Sequence, residues 1–147
     1  MKIAMGCDHG ALELKNALAA HLRSLGHEVL DFGTHSLESC DYTDFAAAAA
    51  RSVAKGESDR GIVLCTTGIG VSIAANKVKG IRCALLSDLL TARMTRDHND
   101  TNMMALGAGI VGPKLAFEIA EVWLNTPFSG SPRHQKRIDK ITALENE

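Results

Sequence analysis

The sequence predicts a three-layer α/β domain, a doubly wound parallel sheet of five strands with helices on both faces. Short apolar runs alternate with helix-length segments along the whole chain, and that alternation builds a parallel sheet. Right-handed crossovers then wrap helices onto both of its faces. The clearest run, Ile62-Val63-Leu64-Cys65, is apolar, rich in β-branched residues and followed by a turn cluster, as a buried strand should be.

Residues 3–5 make a short first strand. Residues 10–25 follow as a helix, with Leu12, Leu14, Leu18, Leu22 and Leu25 near helical spacing and Gly26 as its stop. Residues 29–32 form a second strand. Residues 34–44 are polar and irregular and predict a loop. Residues 45–55 carry five consecutive alanines, Ala46 to Ala50, and end at Gly56; alanine is the best helix former. Residues 62–65 are the third strand, with a helix over 71–78. A fourth strand at 83–86 leads to a helix over 88–96. Residues 103–106 are the fifth strand. A helix over 113–124 has Pro113 in its first turn. Residues 125–132 form a loop, and 133–144 a last helix. No linker or repeat interrupts the 147 residues, so 1–147 reads as one domain.

Composition excludes several classes. Hydrophobic residues make up 46% of the chain, enough for an ordered core. The formal net charge of -1 gives no pull toward nucleic acid or anionic membrane. No apolar run reaches the ~18 residues of a membrane span. The N-terminal residues run straight into a strand, without the pattern of a signal peptide. Cys7, Cys40, Cys65 and Cys83 form no CxxC pair. A disulfide framework or zinc site is not expected, and a reducing cytoplasm fits.

In doubly wound folds ligands bind beyond the carboxyl ends of the strands, so residues just after strands should carry the chemistry. The first strand ends in Gly6-Cys7-Asp8-His9-Gly10. Asp8 and His9 could hold a hydroxyl and an anion; equally, Asp8 could cap the next helix and His9 lie on the surface. The third strand ends in Cys65-Thr66-Thr67-Gly68-Ile69-Gly70. Its glycines let successive amides point at one spot, to which the next helix N-terminus adds positive charge. That suits a phosphate or an enolate oxygen. The Lys-Ser/Thr ending of a P-loop is missing. Cys65 at the edge of this nest is either a base favoured by the helix terminus or a small packed thiol. The run Arg96 to Asn102 is wholly polar, as a solvated loop or a binding loop would be. Arg133 and Arg137 stand four apart on one helix face, as a phosphate clamp or a solvated basic face.

Taken together these motifs resemble the ribose-5-phosphate isomerase type B family, which also includes the galactose-6-phosphate isomerase subunits. The match runs through Gly6 to Gly10, Asp31-Phe32-Gly33-Thr34, Asp41-Tyr42 and Cys65 to Gly70. It continues through Ala74 to Lys77, Gly80-Ile81-Arg82, Arg96 to Asn102 and Arg133-His134-Gln135. The resemblance implies a flavodoxin-like strand order. It implies a homodimer with active sites at the interface, which in some members assembles further into a tetramer. It implies a sugar-phosphate substrate and no metal or organic cofactor. Carried over by position, Cys65 is the base that shuttles a proton between C1 and C2, assisted by Thr67. Gly68, Ile69 and Gly70 supply amides to the enediolate. His98 opens the sugar ring while Asp8 holds the ring oxygen or a hydroxyl. Tyr42 and Asn99 contact the sugar, and His9, Arg133 and Arg137 hold the phosphate.

Some positions depart from the family pattern. Thr66 replaces a usual glycine, and Gly109 stands where many members have arginine. Val71 occupies the place of a glutamate base in a second branch, and Thr43 follows Tyr42 where proline is common. A six-carbon sugar 6-phosphate is therefore an alternative to the pentose. A non-catalytic phosphate or nucleotide sensor is a third reading. A response-regulator receiver is disfavoured, because its phosphoacceptor aspartate should end the third strand, where Cys65 sits.

Overall fold

The computed structural model describes residues 1–147. Its five strands are β1 (Lys2–Cys7), β2 (Glu28–Asp31), β3 (Arg60–Cys65), β4 (Cys83–Leu85) and β5 (Met103–Gly107). Six helices accompany them: α1 (Leu12–Ser24), α2 (Tyr42–Ala54), α3 (Ile69–Asn76), α4 (Leu89–Asn99), α5 (Pro113–Asn125) and α6 (Pro132–Leu144). The sheet is parallel throughout, in the order β2-β1-β3-β5-β4. The first three strands stand as in a flavodoxin-like sheet, and beyond them β5 rather than β4 lies beside β3. Burial accounts for this. Every residue of β5 is buried, whereas β4 is short and leaves Leu85 exposed. A short, half-exposed strand suits the free edge of a sheet.

Crossover handedness sorts the helices into layers. α1 (β1 to β2) and α4 (β4 to β5) cross the sheet in one direction and share a face. α2 (β2 to β3) and α3 (β3 to β4) cross the other way and cover the opposite face. The core divides accordingly. Ile62 and Leu64 of β3 pack with Leu18 and Leu22 of α1 and Ile119 and Trp123 of α5. Val63 and Cys65 pack with Ala46, Ala49 and Ala50 of α2 and Val71 and Ala75 of α3. This alternation is the period of two along a strand, and it assigns Cys65 to the α2/α3 face. The alanine run seen in the sequence lets α2 come close to β1: a Cβ on Gly6 would lie 2.6 Å from the Phe45 carbonyl oxygen. No helix is long and apolar enough to cross a membrane.

Two sequence expectations are corrected. Helix α2 starts at Tyr42, inside the stretch read as a loop. Its first turn, Tyr42-Thr43-Asp44, is exposed and so shows no apolar period. Helix α4 continues through Asn99, so the first part of the polar run 96–102 is helix, not loop. Arg96 explains why. It is buried and donates to the Asp100 carboxylate (2.7 Å) and to the carbonyls of Thr101 (2.6 Å) and Thr126 (3.2 Å). It ties off the end of the helix as scaffold.

Lys15 lies on the apolar stripe of α1, fully buried. Its ammonium donates to Asp31 (2.5 Å) and to the Thr34 carbonyl (3.2 Å). Removing one partner of a buried pair leaves the other charge uncompensated, at a cost of about 3 kcal/mol or more. Asp31→Asn is expected to lower the urea-unfolding free energy by about that amount. A loss under about 1 kcal/mol would mean that solvent reaches Lys15 and screens it.

Candidate active site

Cys65 ends β3 and Gly68 precedes α3 in a left-handed conformation (φ 78°), which glycine adopts without strain. This turn aims the Gly68 amide at Cys65 Sγ, 3.1 Å away. The Ile69 amide donates to Thr67 Oγ1 at 3.3 Å. Helical bonding begins with the Ser72 amide on the Gly68 carbonyl, so the Gly70 and Val71 amides have no acceptor inside the helix. Together with the helix dipole they make a place where developing negative charge is stabilised. Among the amides expected to serve an enediolate, those of Gly68 and Ile69 are turned onto neighbouring side chains, and Val71 adds one not anticipated. Cys65 is only 6% exposed, whereas Thr67 and Ile69 are open to solvent.

Tyr42 comes from the first turn of α2 and lays its ring on Gly70. A Cβ there would sit 2.5 Å from Tyr42 Cζ and 2.9 Å from its hydroxyl oxygen. Gly70→Ala must therefore displace the ring. We expect kcat/KM to fall about tenfold or more, with the thermal midpoint little changed because Tyr42 is exposed. Unaltered kinetics would remove Tyr42 from the site.

Asp8 and His9 follow β1 at the same end of the sheet. Asp8 is buried, and its Oδ1 accepts the Gly10 amide at 3.0 Å, capping a short 3-10 turn over His9–Ala11. The capping reading of Asp8 therefore holds and uses one carboxylate oxygen. His9 is half-buried, and its Nδ1 accepts the Cys40 amide at 3.2 Å. That bond leaves Nε2 as the N–H donor of the neutral ring. Thr66 stands between two glycines: a Cβ at Gly10 would meet its Oγ1 at 2.4 Å, and one at Gly109 its Cγ2 at 3.2 Å. The departures at 66 and 109 thus share one place. A cleft of about 540 Å³ runs from His9 and Gly10 toward Ala108 and Pro113.

The structure thus gathers Asp8, His9, Tyr42, Cys65, Thr67, Gly68, Ile69 and Gly70 at the carboxyl ends of β1 and β3. His98, Asn99, Arg133 and Arg137 do not join them. Helix α4 leaves β4 at its carboxyl end and returns to the start of β5, so its last turn lies at the opposite edge of the sheet. Cys65 is level with Gly107, and Gly61 with Met103; the step between those levels is ~13 Å along a strand. Asn99 precedes even Met103. A cleft of about 590 Å³ beside Asn99 is lined by Ile81 and Cys83 from the start of β4 and by Ile141 and Leu144 of α6. The expectation that candidate residues follow strands does not hold for His98 and Asn99, which precede β5, or for Arg133 and Arg137, which lie on the last helix.

At that far end His98 lies 3.3 Å from the Asp97 carboxylate, and its ring packs at 4.3 Å against that of His134. Arg133 and Arg137 are exposed one turn apart on α6. The sequence reading gave His134 no role, although its burial was legible. It stands four before Ile138, and both are buried, so it is a histidine on the apolar stripe of an otherwise polar helix. No three His, Cys, Asp or Glu side chains converge as metal ligands do. Burial pushes the Cys7 thiol up to about 11 and the Cys83 thiol up to about 12, and Cys7 donates to the Gly33 carbonyl.

Comparison with known proteins gives a consistent picture. A family model described as Ribose/Galactose Isomerase matches residues 3–141. The chain is 49% identical to a putative sugar phosphate isomerase of Bacillus subtilis (strain 168), covering 100% of this chain and 99% of that one. It is 49% identical to ribose-5-phosphate isomerase B of Escherichia coli (strain K12), covering 98% and 96%. The solved structure of Clostridium thermocellum ribose-5-phosphate isomerase B superposes with a TM-score of 0.97 at 51% identity, over 99% of this chain and 98% of that one.

Proposed function

The chain belongs to the ribose/galactose isomerase family, and we propose that it interconverts ribose 5-phosphate and ribulose 5-phosphate through an enediolate, with Cys65 as the base. The observation that carries this reading is the Cys65 sulfur held 3.1 Å from the Gly68 amide at the mouth of α3. Next to it are the free amides of the first turn and the ring of Tyr42. A C–H beside a carbonyl is a weak acid, so its removal needs a placed base and donors where charge develops. The base takes the C2 proton, the enediolate forms, and the proton returns to C1 while the C2 hydroxyl proton passes to O1. Thr67 assists Cys65, the Gly70 and Val71 amides face the enediolate, and those of Gly68 and Ile69 hold the Cys65 sulfur and the Thr67 hydroxyl. Asp8 holds the ring oxygen or a hydroxyl while His98 opens the ring. Tyr42 and Asn99 contact the sugar. His9, Arg133 and Arg137 clamp the phosphate, so that remote binding keeps the C–H aligned with the sulfur. No cofactor enters these steps. All four cysteines are free, and we assign the reaction to the cytoplasm, where Cys65 stays reduced.

This reading requires a second copy of the chain. Within one chain His98, Asn99, Arg133 and Arg137 lie at the wrong edge of the sheet. Exposed apolar side chains surround the free β4 edge: Ile69 and Ile73 of α3, Leu85 of β4, Leu90 and Met94 of α4. An apolar surface of this kind marks a protein interface. A homodimer formed there would let each copy complete the other's site, and further pairing of dimers would give a tetramer.

A six-carbon sugar 6-phosphate is the second reading, favoured by Thr66 lying against Gly109 and so altering the wall beside His9. The test is conversion of ribose 5-phosphate to ribulose 5-phosphate by purified protein in EDTA. Sustained turnover supports the proposal. Turnover only of allose or galactose 6-phosphate would move the assignment to hexoses. No turnover of any sugar, with tight nucleotide binding by calorimetry, would make the protein a sensor.

A further inference from the structure

His134 has no part in the reaction as proposed above, yet its surroundings are unusually well ordered. It is 6% exposed, and its ring is tilted 39° against that of His98, with centroids 4.3 Å apart. Its Nδ1 lies 2.9 Å from Ser129 Oγ. Ser129 Oγ also accepts the Ser131 amide at 3.2 Å, and the Ser129 amide donates to the Asp97 carbonyl at 3.1 Å. The loop before α6 is thereby fastened to the last turn of α4, and His134 is fastened to the loop. Because Ser129 Oγ already accepts one N–H, its own proton can go to His134 Nδ1. This leaves a neutral ring with its proton on Nε2.

We propose that His134 is the positioning residue for His98, a neutral imidazole that fixes the plane of the His98 ring and leaves that ring as the proton carrier of the pair. The inference rests on the reading of His98 as the group that opens the sugar ring. An acid–base group that must reach one ring oxygen needs a set orientation, and a partly exposed histidine at a helix end does not have one unaided. Packing against a buried, hydrogen-bonded ring supplies it. The charges around the pair agree. Burial, then His98, then Arg133 hold His134 below the ordinary histidine range, with Arg137 acting the same way and Asp97 opposing. Asp97 Oδ2 lies 3.3 Å from His98 Nε2, so this carboxylate faces the His98 ring.

The test separates ring opening from proton transfer at carbon. Ribulose 5-phosphate is open-chain, and its exchange of a C1 proton with deuterated solvent, followed by NMR, needs Cys65 but no ring opening. We expect His134→Phe to lower conversion of cyclic ribose 5-phosphate roughly tenfold to hundredfold while leaving that exchange within about twofold of wild type. The acid limb of its pH profile should also move. Ser129→Ala, at an exposed position, should give a smaller loss with the same split, and it serves if His134→Phe fails to fold. Equal loss of conversion and exchange in the folded variants would make His134 merely structural and overturn the proposal, as would wild-type conversion in His134→Phe. His98→Asn run alongside tells the two failures apart. If His98→Asn shows the split and the His134 and Ser129 variants do not, only this inference falls. If His98→Asn shows no split, the ring-opening reading falls with it.

Discussion

Cys65→Ala is expected to lose roughly 10²–10⁴ of kcat, the usual share of a placed general base, while substrate still binds. The substitution removes one sulfur from a site that is only 6% exposed, and the backbone around it is held without that atom. The Ala108 amide bonds to the Cys65 carbonyl and the Gly109 amide to that of Thr66. Neither of the two thiols raised by burial can replace Cys65. Cys7 and Cys83 are held protonated by burial, with thiols pushed up to about 11 and about 12, and both lie away from the α3 mouth. Val71, where a second branch of the family carries a glutamate, is a fully buried apolar side chain. The measurement is ribose 5-phosphate turnover together with deuterium exchange into ribulose 5-phosphate. Both should fall together, because both need the same base. A variant that keeps near-wild-type exchange would take the base role from Cys65.

Most of the fold could be read from the alternation of apolar runs. The strand β3 and its glycine turn were legible because a fully buried strand must be continuously apolar and a tight turn must carry glycine. The order of the last two strands was not, since no local pattern says which of two neighbouring strands takes the edge. Length and burial separate them: all five residues of β5 are buried, and the three of β4 leave Leu85 exposed. The start of α2 at Tyr42 was hidden because its first turn faces solvent. Lys15 was hidden for the opposite reason. A lone charge among leucines carries no period of its own, and its partner Asp31 lies on a different element.

The candidate residues can be named from the sequence, but not their division between the two ends of the sheet. Asp8, His9 and Cys65 follow strands and so share one end of the sheet. His98 precedes a strand and so lies at the other. That rule was available from sequence, because in a parallel sheet each crossover helix must return to the starting edge. What obscured it was the reading of residues 96–102 as one polar loop, free to reach anywhere. Arg96, bonded to Asp100 and Thr101, ends the helix there and fixes the group in place.

Mixing two inactive variants, Cys65→Ala and His98→Asn, is therefore expected to restore turnover of ribose 5-phosphate. In the proposed homodimer, a two-fold axis perpendicular to the strands and beside the β4 edge would reverse one sheet relative to the other. The carboxyl end of one sheet then faces the last turn of α4 in its partner. In a mixed dimer one site has Cys65 from the His98→Asn chain and His98 from the Cys65→Ala chain and is complete, while the other site lacks both. With equal amounts and random reassociation, half the dimers are mixed and one of their two sites works, so about a quarter of the wild-type rate should return. Each variant alone stays inactive on the closed-ring sugar, so the gain is read against a low background. Adding Ile73→Arg to both chains places a charge in the apolar patch and should abolish the recovery, with a shift to the monomer in sedimentation. If the mixture stays inactive while sedimentation shows mixed dimers, His98 and Cys65 do not serve one site. The ring-opening residue would then have to be sought among those that share the carboxyl end of the sheet with Cys65, where Asp8 and His9 already stand.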